Sequence, residues 1–209
     1  MSAPRLHLVR HGEVHNPDRV LYGRLPEFHL SEAGHQMARD AASHLASLNR
    51  KISVLRCSPL VRTQESAAPV ADFTGLTPMI DERVIEPANV FEGKRMKRAL
   101  LNPLNWWHLR RPSLPSWGEA YESIAARMRE AMDDAWDAAA GLDAVIVSHQ
   151  APIWITHLYV AGAPLRHDPR SRRCALSSVT TFVREDGVWR EVDYVEPAAT
   201  GGAVDVGAV

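Results

Sequence analysis

No run of about 18 apolar residues occurs anywhere in the 209-residue sequence, so no membrane-spanning helix is predicted. The opening MSAPRLHLV carries no apolar signal core. Cysteine is scarce. Cys57 and Cys174 are far apart and lack metal-ligand spacing, so they read as reduced, buried thiols and exclude a disulfide framework. An excess of one charge sign is also lacking. The formal net charge of -1 gives no global pull toward nucleic acid or a membrane surface. There is no internal repeat and no Gly-x-Ser-x-Gly elbow, which removes the simplest serine-hydrolase reading. What remains is ordinary for a globular chain, with 45% apolar and 23% charged residues. We expect a single domain over 1–196, large enough to bury a full core, and a cytoplasmic location.

The chemistry concentrates at the ends of three apolar runs. Leu6, Leu8 and Val9 form a short N-terminal strand that stops at Arg10-His11-Gly12. Ile52, Val54 and Leu55 form a second strand, ending at Cys57. Ser58-Pro59 then predicts the start of a helix, with proline at the first helical position and Arg62 one turn in. Ala144 to Val147 is fully apolar, as in a central parallel strand, and runs into Ser148-His149-Gln150. An open α/β sheet binds ligands beyond the carboxyl ends of its strands. Arg-His-Gly alone is a chance tripeptide, but three matching strand ends are not.

Other elements follow from period and caps. Ser31 caps a helix over 32–48, and SPLVRTQESAAPVADF gives a second, with Pro69 predicted to kink it and Gly75 to stop it. Residues 77–80 read as a short strand. Gly118 to Ala140 is the clearest helix: Tyr121, Ile124, Ala125, Met128, Met132 and Trp136 form one stripe, and Arg127 is placed on the wet face. A helix over 152–161, an arginine-rich loop over 166–173 and a hairpin turning at Glu185-Asp186-Gly187 follow. Residues 13–30 read as a functional loop, 87–117 as a lid insertion, and 197–209 as a frayed tail.

Two arginines and two histidines suit phosphoryl transfer. A neutral imidazole attacks phosphorus to give a phosphohistidine, and guanidinium groups hold the oxygens bidentately. Arg10 and Arg62 would depress the pKa of His11 and keep it neutral, while His149 would donate to a phosphoryl oxygen. With these donors converging, no metal or other cofactor is required.

These residues resemble the histidine phosphatase, or phosphoglycerate-mutase-like, superfamily. LVRHGE stands at Leu8 to Glu13, SPLVRTQES at Ser58 to Ser66, and VSH at Val147 to His149. The resemblance spans most of 6–184. It implies a three-layer α/β fold, with a mixed, mostly parallel sheet flanked by helices, and phosphorylation of His11 during turnover. It also implies a carboxylic acid that protonates the leaving oxygen, matched by Glu86 with Glu82 as fallback. The family tryptophan form is replaced here by Phe91-Glu92-Gly93, and the glycine that usually follows the second histidine by Gln150. Asn16, Tyr22 and Gly23 match the substrate loop with an offset of one residue.

The short substrate loop favours a phosphatase acting on a small phosphorylated metabolite over a phosphoglycerate mutase. A non-catalytic phospho-ligand-binding protein on the same fold is the third reading. His7, His11 and His15 would gather a metal only on a helix, and that stretch reads as strand. Lys97, Arg98, Arg110 and Arg111 are a weak nucleic-acid patch in an otherwise neutral chain. Tyr22, Phe28 and the tryptophans leave a homodimer open.

Overall fold

A computed structural model describes residues 3–95, Arg98, Leu101, Leu104 and 118–198. Most of the expected lid, the basic patch apart from Arg98, and residues 199–209 lie outside the described residues. Six strands form one sheet in the order β3-β2-β4-β1-β5-β6. They are β1 (Leu6–Arg10), β2 (Ile52–Cys57), β3 (Met79–Ile80), β4 (Asp143–Ser148), β5 (Val179–Glu185) and β6 (Val188–Val195). The first four in that order pair in parallel, and β5 and β6 run antiparallel at one edge. The sheet is therefore mixed and mostly parallel, as the sequence predicts.

Strand alternation sorts the core onto two faces. Leu6, Leu8, Ala144 and Ile146 point toward α3 (Tyr121–Ala139) and α4 (Gln150–Val160). Val9, Leu55, Val145 and Val147 point toward α1 (Glu32–Ser47) and α2 (Val61–Thr74). All six residues of β4 are buried, which accounts for its unbroken apolar run. In α3 the stripe of Ile124, Met128 and Met132 is 0–1% exposed. Truncating one of these methionines to alanine would cost about 2–5 kcal/mol.

Several local readings change. The Ser58-Pro59 pair does not open α2: the helix begins at Val61 with Leu60 at its N-cap and no side-chain capping bond. α2 also runs through Pro69 to Thr74, ending on left-handed Gly75 as expected. Ser31 does cap α1, accepting from Gly34 N at 3.0 Å. At the end of α3 it is Ala140, not Gly141, that first turns left-handed, with φ 50°. Arg127 is not on a wet face. Its guanidinium donates twice to Glu119, at 2.9 and 3.0 Å, and also to the Arg83 carbonyl. The hairpin turns on Asp186 and Gly187, both at positive φ, as a tight two-residue turn demands. Ala198 is not frayed but packs with Met37 and Leu176. Cys57 and Cys174 are buried thiols outside any disulfide, and burial pushes the Cys57 thiol up to about 11. Among the described residues no helix is long and apolar enough to cross a membrane.

Candidate active site

The carboxyl ends of β1, β2 and β4 bring Arg10, His11, Arg62 and His149 together. Arg10 and Arg62 are fully buried, His11 is 2% exposed and His149 1%. His11 leaves β1 with its backbone N–H donated to Ser148 O at 3.1 Å, which ties the end of β1 to the end of β4. The turn behind it is tight. A Cβ on Gly12 would lie 2.3 Å from Gly34 O, and one on Gly34 would lie 2.0 Å from Glu13 O. The closeness that glycine permits at position 12 is therefore used against the first turn of α1. Ser66 fixes the turn from α2, its Oγ accepting from Gly12 N at 3.1 Å and donating to Arg62 O at 2.7 Å.

The tautomer of His11 follows from its contacts. Nδ1 lies 2.8 Å from the Gly12 carbonyl, which can only accept, so Nδ1 carries the proton and Nε2 presents a lone pair. Burial, then the charges of Arg62 and Arg10, hold its pKa well below the usual histidine value. The ring is neutral near pH 7 and available as a nucleophile.

Arg10 donates to Cys174 O at 2.6 Å, and Arg62 donates to Gly23 O at 2.6 Å while its guanidinium lies 4.8 Å over the Tyr22 ring. Nε and Nη1 of Arg62 are buried with no protein partner. A buried guanidinium held at one end with donors left over is arranged to receive an oxyanion.

His149 packs edge-on against His11, with ring centroids 5.2 Å apart. Its Nε2 is 2.8 Å from Ser58 Oγ, and that oxygen accepts Leu60 N at 3.4 Å. With the serine hydroxyl donating to Nε2, Nδ1–H is the ring's remaining donor. Nδ1 has no hydrogen-bond partner and faces Glu86 Oε2 at 3.9 Å. Burial raises the pKa of Glu86 against the opposing charges of Arg62, Arg172, Arg10 and Arg127, and burial lowers that of His149. Both shifts disfavour the charged forms across this contact. Both Glu86 oxygens are buried and unpartnered, whereas Glu82 is exposed on a short 3-10 turn.

The residues expected to bind substrate divide. Tyr22 is buried 6.3 Å from His11 between ring centroids, and Gly23 supplies the carbonyl that holds Arg62. Gln150 opens α4 and accepts from Arg172 at 3.5 Å. Asn16 spends its side-chain amide on the backbone of Val20, at 2.8 and 3.1 Å, and so braces the loop over 13–30. That loop closes on itself through a bridge between Val14 and Leu30. Phe91-Glu92-Gly93 clamps it to the segment bearing Glu86, since Glu92 Oε1 accepts Arg24 N at 3.0 Å and Gly93 N donates to Leu21 O at 2.8 Å. Of the three metal-spaced histidines, only His11 belongs to this cluster. His7 lies on β1 against Thr181 and Asp143, at 3.0 and 3.5 Å.

The sequence reading misses Ser58 and Ser66 as site residues, and it points to the arginines of 166–173 for substrate choice without singling out Arg172. Ser58 and Ser66 stand inside SPLVRTQES, but Ser58 is also a good helix cap, and that role hides the second one. Arg172 is one of several arginines in its loop, and nothing in the order of residues distinguishes it.

Two neutral histidines, two buried arginines and a buried carboxyl group with a raised pKa converge beyond the carboxyl ends of parallel strands, an arrangement suited to phosphoryl chemistry. The sequence matches the model of the histidine phosphatase superfamily (branch 1) over residues 6–197, and the chain belongs to that family. Its relatives include the uncharacterized protein Rv0525 of Mycobacterium tuberculosis, 49% identical over 93% of this chain and 97% of that one. A probable phosphoglycerate mutase GpmB of Yersinia pestis is 29% identical over 84% of each chain. Among solved structures, YhfR of Bacillus stearothermophilus is similar at a TM-score of 0.79 and 25% identity, covering 93% of this chain and all of that one. The mycobacterial glucosyl-3-phosphoglycerate phosphatase Rv2419c shares the fold at a TM-score of 0.74 and 24% identity, over 91% of this chain and 98% of that one.

Proposed function

We propose that the protein is a metal-independent phosphatase that hydrolyses a small phosphorylated metabolite through a phosphohistidine at His11. The observation that carries this reading is the state of His11: its proton is fixed on Nδ1, and its free Nε2 lies in a pocket of arginine charge. Nε2 attacks phosphorus, the bond from phosphorus to the ester oxygen breaks, and Glu86 gives its proton to that departing oxygen. The resulting Glu86 carboxylate takes a proton from water, which attacks phosphorus and releases His11. Arg10, Arg62 and the Nδ1–H of His149 stabilise the phosphoryl oxygens throughout. Two permanent guanidinium charges do what a divalent cation would otherwise do. Two buried thiols outside any disulfide suit work in the reducing cytoplasm.

The relationship to proteins named as phosphoglycerate mutases favours a second reading, in which the phosphohistidine returns its phosphoryl group to a hydroxyl of the same metabolite. One assay separates them. Phosphate release from an aryl phosphate, across about pH 5 to 8 with EDTA present, is compared between the protein and His11→Ala. Hydrolysis that survives EDTA and disappears in the variant supports the phosphatase. Absence of hydrolysis together with interconversion of phosphoglycerates supports the mutase.

A further inference from the structure

Arg10 and Arg62 aside, the arginines around the site are mostly claimed by the protein's own carboxylates, and Arg172 is not. Arg127 and Arg24 share Glu119, the latter at 3.5 Å. Arg170 is clasped by Asp168 at 2.7 Å, and Arg173 pairs with Glu191. Arg172, between them, is held by neutral groups only. Its Nε donates to His167 Nε2 at 2.9 Å, and its Nη1 reaches Gln150 Oε1 at 3.5 Å. His167 is fixed in that accepting role because its Nδ1–H is donated to Leu165 O at 2.8 Å. Among the described residues no carboxylate lies within ion-pair distance of Arg172.

The carboxyl group whose field acts on Arg172 most is Glu86. Glu86 is buried and its pKa is raised by that burial, so it is a poor counter-charge for the guanidinium. A half-buried cation without a counter-charge is costly, and the fold retains this one within the electrostatic reach of Glu86, the proposed acid. Gln150, the residue after His149, touches the same guanidinium and so links it to the site. The planar Nη1/Nη2 edge matches a carboxylate or phosphoryl group in two-point geometry, and His167 and Gln150 hold that edge in advance.

We infer that Arg172 binds a second oxyanion of the substrate, carried on the leaving-group side of the scissile phosphate. The inference rests on the phosphatase reading above, because that reading defines which side Glu86 serves. The substrate is then a phosphorylated carboxylic acid or a bisphosphate, not a neutral alkyl phosphate, and Arg172 selects it.

The test compares kcat/KM for pairs that differ by one anionic group. Ethyl phosphate is set against phosphoglycolate and against ethylene glycol bisphosphate, and phenyl phosphate against its carboxyphenyl analogues. One charge-assisted, two-point contact predicts a preference of at least about tenfold for an anionic partner in the wild type. Arg172→Gln brings that ratio to within about twofold of unity, and Arg172→Lys falls between, since an ammonium keeps the charge and loses the fork. The pair that shows the Arg172-dependent ratio identifies the anion. A wild type without preference for any anionic analogue, or a preference untouched in both variants, overturns the inference. If no compound is hydrolysed in a His11-dependent way, the phosphatase reading fails by itself. Calorimetric Kd values for the same pairs then decide the role of Arg172, with an Arg172-dependent preference upholding it and equal affinities overturning it.

Discussion

Replacing Glu86 by glutamine keeps the shape of a neutral carboxylic acid and removes the proton it can give. Both Glu86 oxygens are buried without hydrogen-bond partners, and the residue is 3% exposed, so the amide fits the same space. A general acid contributes about 10²–10⁴ in rate, and the contribution scales with how much the leaving oxygen needs the proton. For an alkyl phosphate we expect Glu86→Gln to lose about 10²–10⁴ in kcat/KM. For a nitrophenyl phosphate, whose leaving oxygen departs as a stable anion, the loss should stay below about tenfold. Steady-state kinetics with both substrates across pH complete the assay. In the wild type the alkyl rate falls as pH rises through the raised pKa of Glu86, and in the variant that limb is gone. Equal losses for the two leaving groups would refute the assignment of Glu86 as the acid. The same shift has a stability consequence with a definite sign. The folded-state pKa is raised, so the wild type keeps this contribution below the unfolded value and loses it as pH rises through the folded one. The melting temperature of Glu86→Gln should therefore gain on the wild type as pH increases across that window.

Gly12→Ala should destabilise by about 1–3 kcal/mol or more in urea unfolding, because its Cβ meets a backbone carbonyl at 2.3 Å that cannot swing aside. A variant with wild-type midpoint and activity would show that the turn is not so constrained. Ser58→Ala should cost about 1 kcal/mol of stability. It should also lower kcat more than it raises KM and shift the pH profile, because His149 loses the partner that fixes its tautomer; an unchanged profile would leave Ser58 a merely structural residue. His11 and His149 both have depressed pKa values, so their contribution to stability is present above about pH 6.5 and is lost as pH falls through the folded values. Acid unfolding of a His11→Gln, His149→Gln double variant should accordingly show a weaker pH dependence below that point, and an identical dependence would contradict the burial argument.

The sheet was largely legible because its signals are local. The apolar run Ala144 to Val147, the stripe on α3 and the Asp186-Gly187 turn each name their own structure. The four site residues are legible for a related reason: polar residues at or just beyond the end of a buried strand, or in the first turn of the helix that follows, face the ligand side of the sheet. Ser58 was misread because a serine before proline caps helices often enough to conceal a hydrogen bond to His149 across 91 positions of sequence. Arg127 was placed in water by helical period alone, and its ion pair with Glu119 is a contact that period does not encode. Arg172 became distinct only when the carboxylates around its neighbours were located in space. Pairing of charges is a tertiary property, and sequence order does not rank six arginines in one loop and site.

Covalent phosphorylation of His11 is the central step of the proposed reaction, and trapping that species tests it most directly. The protein is mixed with radiolabelled aryl phosphate in the presence of EDTA, quenched in alkali within a turnover, and mapped by peptide mass spectrometry. The account predicts a phosphoryl group that is stable to alkali and labile to acid, on the peptide containing His11 and absent from His11→Ala. Turnover without label on His11, label on another residue, or loss of both label and turnover to EDTA would contradict it.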